Sequence, residues 1–287
     1  MARTKFAYYP GCVTKNSARE VEDSMQVIAK TLEIDLWPMA GAACCGAGVI
    51  KQYDRILQLS LNARTFSQAE ARGLDVLTPC ASCQGNMHED LVALQDDEAL
   101  RNKVNAVLEP ITGKRFQGTL KMRHLLHVLV EDIGLDVISS KVVNRIDFPI
   151  AGYYGAPMQR EGACGDDDTY NPQYFEMLIG ALGGDAVQYG SKSQSVGFPN
   201  LLAEEATALE MTAHVIDDAK SEGAKILATA CPLSHINLDV YQVKAGRTSG
   251  RDTDIPVVHL PELIAFAFGH MTDRLAMLRT RIKVIGD

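Results

Sequence analysis

Five of the seven cysteines in this chain of 287 residues stand in one order: Cys12 alone, the adjacent pair Cys44–Cys45, then Cys80-x-x-Cys83. They are set among Gly11, Gly41, Gly46, Gly48 and Pro79, residues of turns rather than of a packed core. Thiolates are soft ligands, and a set this dense suits an iron–sulfur cluster, a zinc ion or a redox dithiol. Two neighbouring thiols strain to hold one small ion, whereas a larger multi-iron cluster accepts both. The Cys44–Cys45 pair therefore favours iron–sulfur and leaves zinc and dithiol chemistry open as alternatives.

The elements that would position these thiols alternate between strand and helix. Phe6 to Cys12 is an aromatic, apolar run ending in a Gly turn, and Val21, Met25, Ile28 and Leu32 then recur at helical spacing. Ile34 to Trp37 reads as a short strand closed by Pro38, Val49 to Ala71 as a helix, and Asp75 to Thr78 as a strand. Pro79–Cys80 starts the next helix, so Cys80 and Cys83 share its first turn and its positive end. In a parallel α/β sheet the loops after the strand ends form the ligand crevice, which brings all five thiols to one edge.

A second segment echoes the first. AGYYGA at Ala151 to Ala156 repeats FAYYPGC, and the 35 positions from Cys45 to Cys80 recur between Val196 and Cys231. Pro199 to Glu222 is expected to be a helix, Lys225 to Thr229 a strand, and Cys231–Pro232 a second strand-to-helix switch. The reading is two pseudo-symmetric α/β lobes with parallel sheets, residues 1–145 and 146–287. A helical stretch from Asp96 to Asp136 joins them, Ser139 to Pro149 leads into the second, and Pro261 to Ile285 forms an amphipathic closing helix ending in Arg279, Arg281 and Lys283.

Composition narrows the function classes. At this length a core forms without metal or disulfide staples, so a metal site here serves function rather than folding. A net charge of −8 without any Lys/Arg block argues against nucleic acid as a partner. The N-terminus lacks a signal-peptide pattern, and the longest apolar segment, Leu260 to Gly269, is too short to span a bilayer. A cytoplasmic protein is expected, where seven cysteines point to metal or redox chemistry before disulfides. No GxGxxG follows the first strand, so flavin and nicotinamide are not expected.

The motif GC…ACCG…PCASC resembles the cysteine-rich CCG domain of the B-type subunit of heterodisulfide reductase. The likeness continues through Tyr153–Tyr154–Gly155, the run Cys231 to Gln242, and PVVHLPELIAFAFG near the end. The resemblance implies an oxidoreductase acting on sulfur groups, built of two Rossmann-like CCG lobes that each hold a noncubane [4Fe-4S] cluster through five cysteines. Here the second motif is degenerate: Ala156, Ser195, Val196, Cys231 and Ser234 occupy its positions, so one thiol of five remains. That departure implies one cluster, in the N-terminal lobe, on Cys12, Cys44, Cys45, Cys80 and Cys83. The resemblance implies a B-like protein of the sulfur-oxidising type of heterodisulfide-reductase-like complex, with a B-type subunit of the methanogenic type of enzyme as an alternative. The family further implies a C-type iron–sulfur protein and an A-type flavoprotein as partners, and a lipoate-carrying protein as a source of dithiol. An electron relay or scaffold component without its own catalysis, and a zinc-bearing interaction module, are the other classes.

Other residues carry weaker signals. His235, at a helix start after Ser234, is a candidate proton donor to a cleaved disulfide, weighed against a structural hydrogen bond. His124 and His127 read as histidines on a helix surface, and Asp166 to Asp168 as a solvated turn and cap. Cys164 and Cys231 read as small buried hydrophobes, with a second metal or disulfide site as the sharper alternative.

Overall fold

The computed structural model describes residues 4–270. Strands β1 (Lys5–Tyr8), β2 (Asp35–Pro38), β3 (Val76–Thr78) and β4 (Met122–His124) form one sheet in the order β2-β1-β3-β4, every pair parallel. Strands β5 (Pro149–Tyr153), β6 (Asp185–Val187), β7 (Ile226–Thr229) and β8 (Val257–His259) repeat that order as β6-β5-β7-β8, again parallel. The α/β fold of two like lobes read from the sequence is thus present. β3 and β7 are buried along their whole length, as central strands covered on both faces must be.

The helix Arg19–Thr31 buries Val21, Met25 and Ile28 on one stripe, as their spacing dictates. The helix expected over 49–71 is two, Ile50–Tyr53 and Arg55–Glu70. Asp54 breaks it by taking an extended conformation and capping the second helix, its carboxylate accepting from Leu57 N at 3.0 Å.

The stretch from Asp96 to Asp136 is not wholly helical. A helix, Glu98–Thr112, ends on the left-handed Gly113, and β4 then joins the first sheet. With three residues and Arg123 at its centre, β4 offers no apolar periodicity to detect. The helix expected from Pro199 starts at Glu205 after a single 3₁₀ turn. The closing helix spans Leu260–Ala267 and stops at the Phe268–Gly269 turn, where Gly269 takes φ +87°. Residues 271–287, including Arg279, Arg281 and Lys283, lie outside the described residues.

One apolar core joins the two sheets. It runs from Phe6 and Leu77 through Leu125 and Ile150 to Val258 and Ile264. Helix Leu260–Ala267 of the second half packs on helix Arg19–Thr31 of the first. The halves also meet closely at Gly85 in the helix Ala81–Asp96, where a Cβ would fall 1.9 Å from the Pro157 carbonyl oxygen. Among the described residues no helix is long and apolar enough to cross a membrane.

Candidate metal centre

The three loops that follow β1, β2 and β3 deliver the five N-terminal thiols to one cavity of about 110 Å³, which all five line. After β1, Gly11 turns the chain at φ +83°, and a Cβ there would stand 3.2 Å from Cys83 Sγ. Only glycine lets the backbone pass so close to the sulfurs without strain. Cys80 caps the helix Ala81–Asp96, its sulfur accepting from Cys83 N at 3.4 Å.

The adjacent pair divides its work. Cys44 Sγ lies 3.7 Å from Cys12 Sγ, and Cys45 Sγ lies 3.6 Å from Cys83 Sγ. With the contacts between Cys44 and Cys45 and between Cys83 and Cys80, the sulfurs form a continuous chain, Cys12–Cys44–Cys45–Cys83–Cys80.

Polar side chains that the sequence pattern does not single out hold this loop. The Cys45 carbonyl accepts from Asn62 Nδ2 at 3.1 Å and from Asn86 Nδ2, while Tyr9 Oη donates to the Ala43 carbonyl at 2.7 Å. Asn62, Gln58 and Arg55 converge in turn on Asp90, a fully buried carboxylate. Their only sequence signal is polarity at positions where an amphipathic helix would place apolar side chains.

Electrostatics explain why thiols so placed call for a cation. Hydrogen bonding with Cys12 and Cys45 holds the Cys44 thiol far below its usual range. The cost falls on its neighbours: sharing a proton with Cys44 pushes Cys12 and Cys45 up, and hydrogen bonding to Cys45 pushes Cys83 up. Among the described residues no Lys, Arg, Asp or Glu lines the cavity. Several thiolates cannot ionise side by side in such surroundings unless a positive centre compensates them. The donor set and its softness fit a thiophilic metal or cluster.

The histidines sit differently from expectation. His124 ends β4 and is fully buried, as is His127 beside it, so neither is on a helix surface. His124 Nε2 bonds the Ala230 carbonyl at 3.1 Å and Nδ1 accepts from Leu126 N at 3.1 Å, which fixes the proton on Nε2. Burial lowers its pKa from 6.5 to about 4. Above pH 6.5 the imidazole is neutral folded or unfolded and costs nothing; as pH falls from 6.5 to 4, only the unfolded chain takes up the proton. The metal-free protein is therefore expected to lose about 3 kcal/mol over that interval through this group alone, read as the denaturant midpoint against pH. A His124→Gln variant should show a shallower dependence.

His235 bonds the Val257 carbonyl through Nε2 at 3.2 Å and stacks on His259 with ring centroids 3.8 Å apart. It lines a separate cavity with Glu20 and His259, and not the cysteine cavity. Asp167 and Asp168 accept from the backbone N–H groups of Tyr174, Gln173, Tyr170 and Asn171, forming a turn and a helix start. Cys164 contacts Thr169 Oγ1 at 3.3 Å, whereas Cys231 Sγ stands 3.9 Å from Cys80 Sγ, so those two cysteines do not form a joint site.

The degenerate positions retain the frame. Ser195 Oγ accepts from Gly197 N at 3.1 Å as Cys44 Sγ does from Gly46 N at 3.5 Å. Tyr153 donates to the Gln194 carbonyl at 2.7 Å as Tyr9 does to Ala43, and Asn237 donates to the Val196 carbonyl as Asn86 does to Cys45.

Comparison with known proteins places the chain in a family. Residues 6–88 match the CCG cysteine-rich domain. The chain is 32% identical to the 8-methylmenaquinol:fumarate reductase membrane anchor subunit of Wolinella succinogenes, covering 92% of each. It is 28% identical to the B-type subunit of the ferredoxin/F420H2-dependent CoB-CoM heterodisulfide reductase of Methanosarcina acetivorans, covering 98% of this chain and 95% of the relative. A crystal structure of a hypothetical protein from Helicobacter pylori superposes with a TM-score of 0.74 at 15% identity. It covers 96% of this chain, which spans about half (51%) of that structure, and the likeness is one of fold. With the five thiols in place and such relatives matched over nearly their whole length, the chain belongs to the CCG cysteine-rich family that includes the B-type subunits of heterodisulfide reductase.

Proposed function

We propose that this chain is the iron–sulfur subunit of a heterodisulfide-reductase-like complex, carrying one noncubane [4Fe-4S] cluster on Cys12, Cys44, Cys45, Cys80 and Cys83. The observation that supports it is the convergence of five thiols on one cavity without a charged side chain among its described lining residues to compensate them. Bound there, such a cluster supplies one-electron exchange and a soft acid for sulfur. The protein's own residues do the rest. Gly11 leaves room at the sulfurs, Asn62 and Asn86 hold the Cys45 loop, and the helix starting at Ala81 turns its positive end to Cys80 and Cys83.

The reaction class is thiol–disulfide redox chemistry. Reducing one disulfide to two thiols takes up two electrons and two protons, and oxidising a dithiol returns them. Only Cys231 remains of the second thiol set, which favours the sulfur-oxidising type of complex, with residues 1–145 and 146–287 as its two lobes. Electrons would pass through a C-type iron–sulfur protein and an A-type flavoprotein, with a protein-bound lipoyl arm as dithiol. His235 has no part in this reading, because it faces another cavity.

The same loss of the second set supports one other reading, that of an electron relay without its own substrate. Iron, acid-labile sulfide and zinc per chain of anaerobically purified protein test the assignment. About four irons with matching sulfide are expected, together with an EPR signal that responds to added thiol. Zinc without sulfide would refute the reading, and iron without any thiol response would favour the relay.

A further inference from the structure

Cys231 is the one thiol left from the degenerate set, yet its nearest sulfur belongs to the other lobe. The turns that follow β3 and β7 meet back to back: Ala81 N donates to the Ala230 carbonyl at 3.0 Å, and His124 Nε2 bonds the same oxygen. This fixes Cys231, almost wholly buried, with its Sγ 3.9 Å from Cys80 Sγ and 3.1 Å from Ser82 Oγ. Ser82 and Pro232 line the cysteine cavity but Cys231 does not. Its sulfur thus reaches Cys80 without lining the cavity, as a hydrogen-bond donor to a ligand would and a ligand would not.

We propose that Cys231 is a positioning residue for the Cys80 sulfur. Ser82 Oγ–H donates to Cys231, the Cys231 S–H donates to Cys80, and this cross-lobe relay sets the potential at which the site accepts an electron. A donor to a ligand sulfur stabilises the more negative, reduced state, so it raises the reduction potential. The inference rests on the iron–sulfur reading above. It assigns the survivor of the second thiol set a use without a second metal.

The test compares wild type with Cys231→Ala, Cys231→Val and Cys231→Ser, all purified anaerobically. Alanine and valine remove the donor, valine while keeping nearly the side-chain volume, and serine restores a donor. Iron and sulfide per chain should be equal in all four proteins. The midpoint potential, followed by EPR-monitored titration, should move to more negative values in the alanine and valine variants and return toward wild type with serine. A potential unchanged in whichever donorless variant retains iron would overturn the proposal. So would loss of iron from both donorless variants, which would make Cys231 a ligand. Wild type without iron and sulfide would instead refute the iron–sulfur reading itself, so the two failures are distinguishable.

Discussion

Cys45→Ala is expected to reduce iron from about four per chain to well under one, with acid-labile sulfide falling in step. Cys45 sits in the middle of the sulfur chain, touching Cys44 on one side and Cys83 at 3.6 Å on the other. Its removal leaves the outer thiols in two groups with no sulfur between them. The loss should be one of ligation rather than of folding. The loop is held through the Cys45 carbonyl by Asn62 and Asn86 and through Ala43 by Tyr9, none of which involves the sulfur. Far-UV circular dichroism and the denaturant midpoint of the metal-free variant should stay within about 1 kcal/mol of the metal-free wild type, the ordinary cost of trimming a small side chain. Cys164→Ala is the control: its sulfur contacts Thr169 and lies outside the cavity, so iron should be unchanged. Full iron in Cys45→Ala, or iron loss in Cys164→Ala, would dismantle the five-thiol assignment.

Gly85→Val is expected to be the most destabilising single change at the seam between the lobes. A Cβ at this helical position would lie 1.9 Å from the Pro157 carbonyl oxygen and 2.6 Å from its carbon, so backbone must move on one side or the other. Overpacking of that kind costs about 3 kcal/mol, which in a chain of this size lowers the melting temperature by roughly 6–12 °C. The displaced helix also carries Cys83 and is capped by Cys80, so partial iron loss should accompany the drop, smaller than in Cys45→Ala. Gly180→Ala provides the contrast. It lies in the helix Tyr174–Ala181 with nothing within 4 Å of the added carbon, and a gain of about 0.5–1 kcal/mol is expected from helix propensity. Thermal unfolding of the two variants side by side checks both; an unshifted Gly85→Val would mean that the lobes are not packed as described.

The thiol constellation and the strands before it were legible because they are local. Cys12, Cys44–Cys45 and Cys80 each follow a strand within a few residues, and the 35-residue echo at Val196 and Cys231 revealed the second lobe even where the cysteines are not repeated. What escaped was either too short or too distant. β4 is three residues with a charge at its centre, and β6 begins with Asp185, so neither shows a period. The Asp54 cap broke a helix whose apolar pattern runs straight through it. The network of Asn62, Asn86 and Asp90 behind Cys45 joins residues 17 to 41 positions apart, and nothing in a one-dimensional pattern pairs them. Buried His124 and His127 were misplaced for the same reason: the strand that buries one and the turn at Ala230 that receives its proton are separated by 106 residues.

The shared frame of the two lobes separates architecture from chemistry. In each, the loop after the second strand is held by its backbone carbonyls: Tyr9 and Asn86 reach Ala43 and Cys45, while Tyr153 and Asn237 reach Gln194 and Val196. A carbonyl is present whatever side chain the residue bears, so the hold is indifferent to whether position 45 or 196 carries a thiol, a hydroxyl or a hydrocarbon. Side chains at these positions can therefore be exchanged by substitution without loosening the hold on the loop. The second lobe keeps this frame without the thiols and still packs against the first through one continuous apolar core.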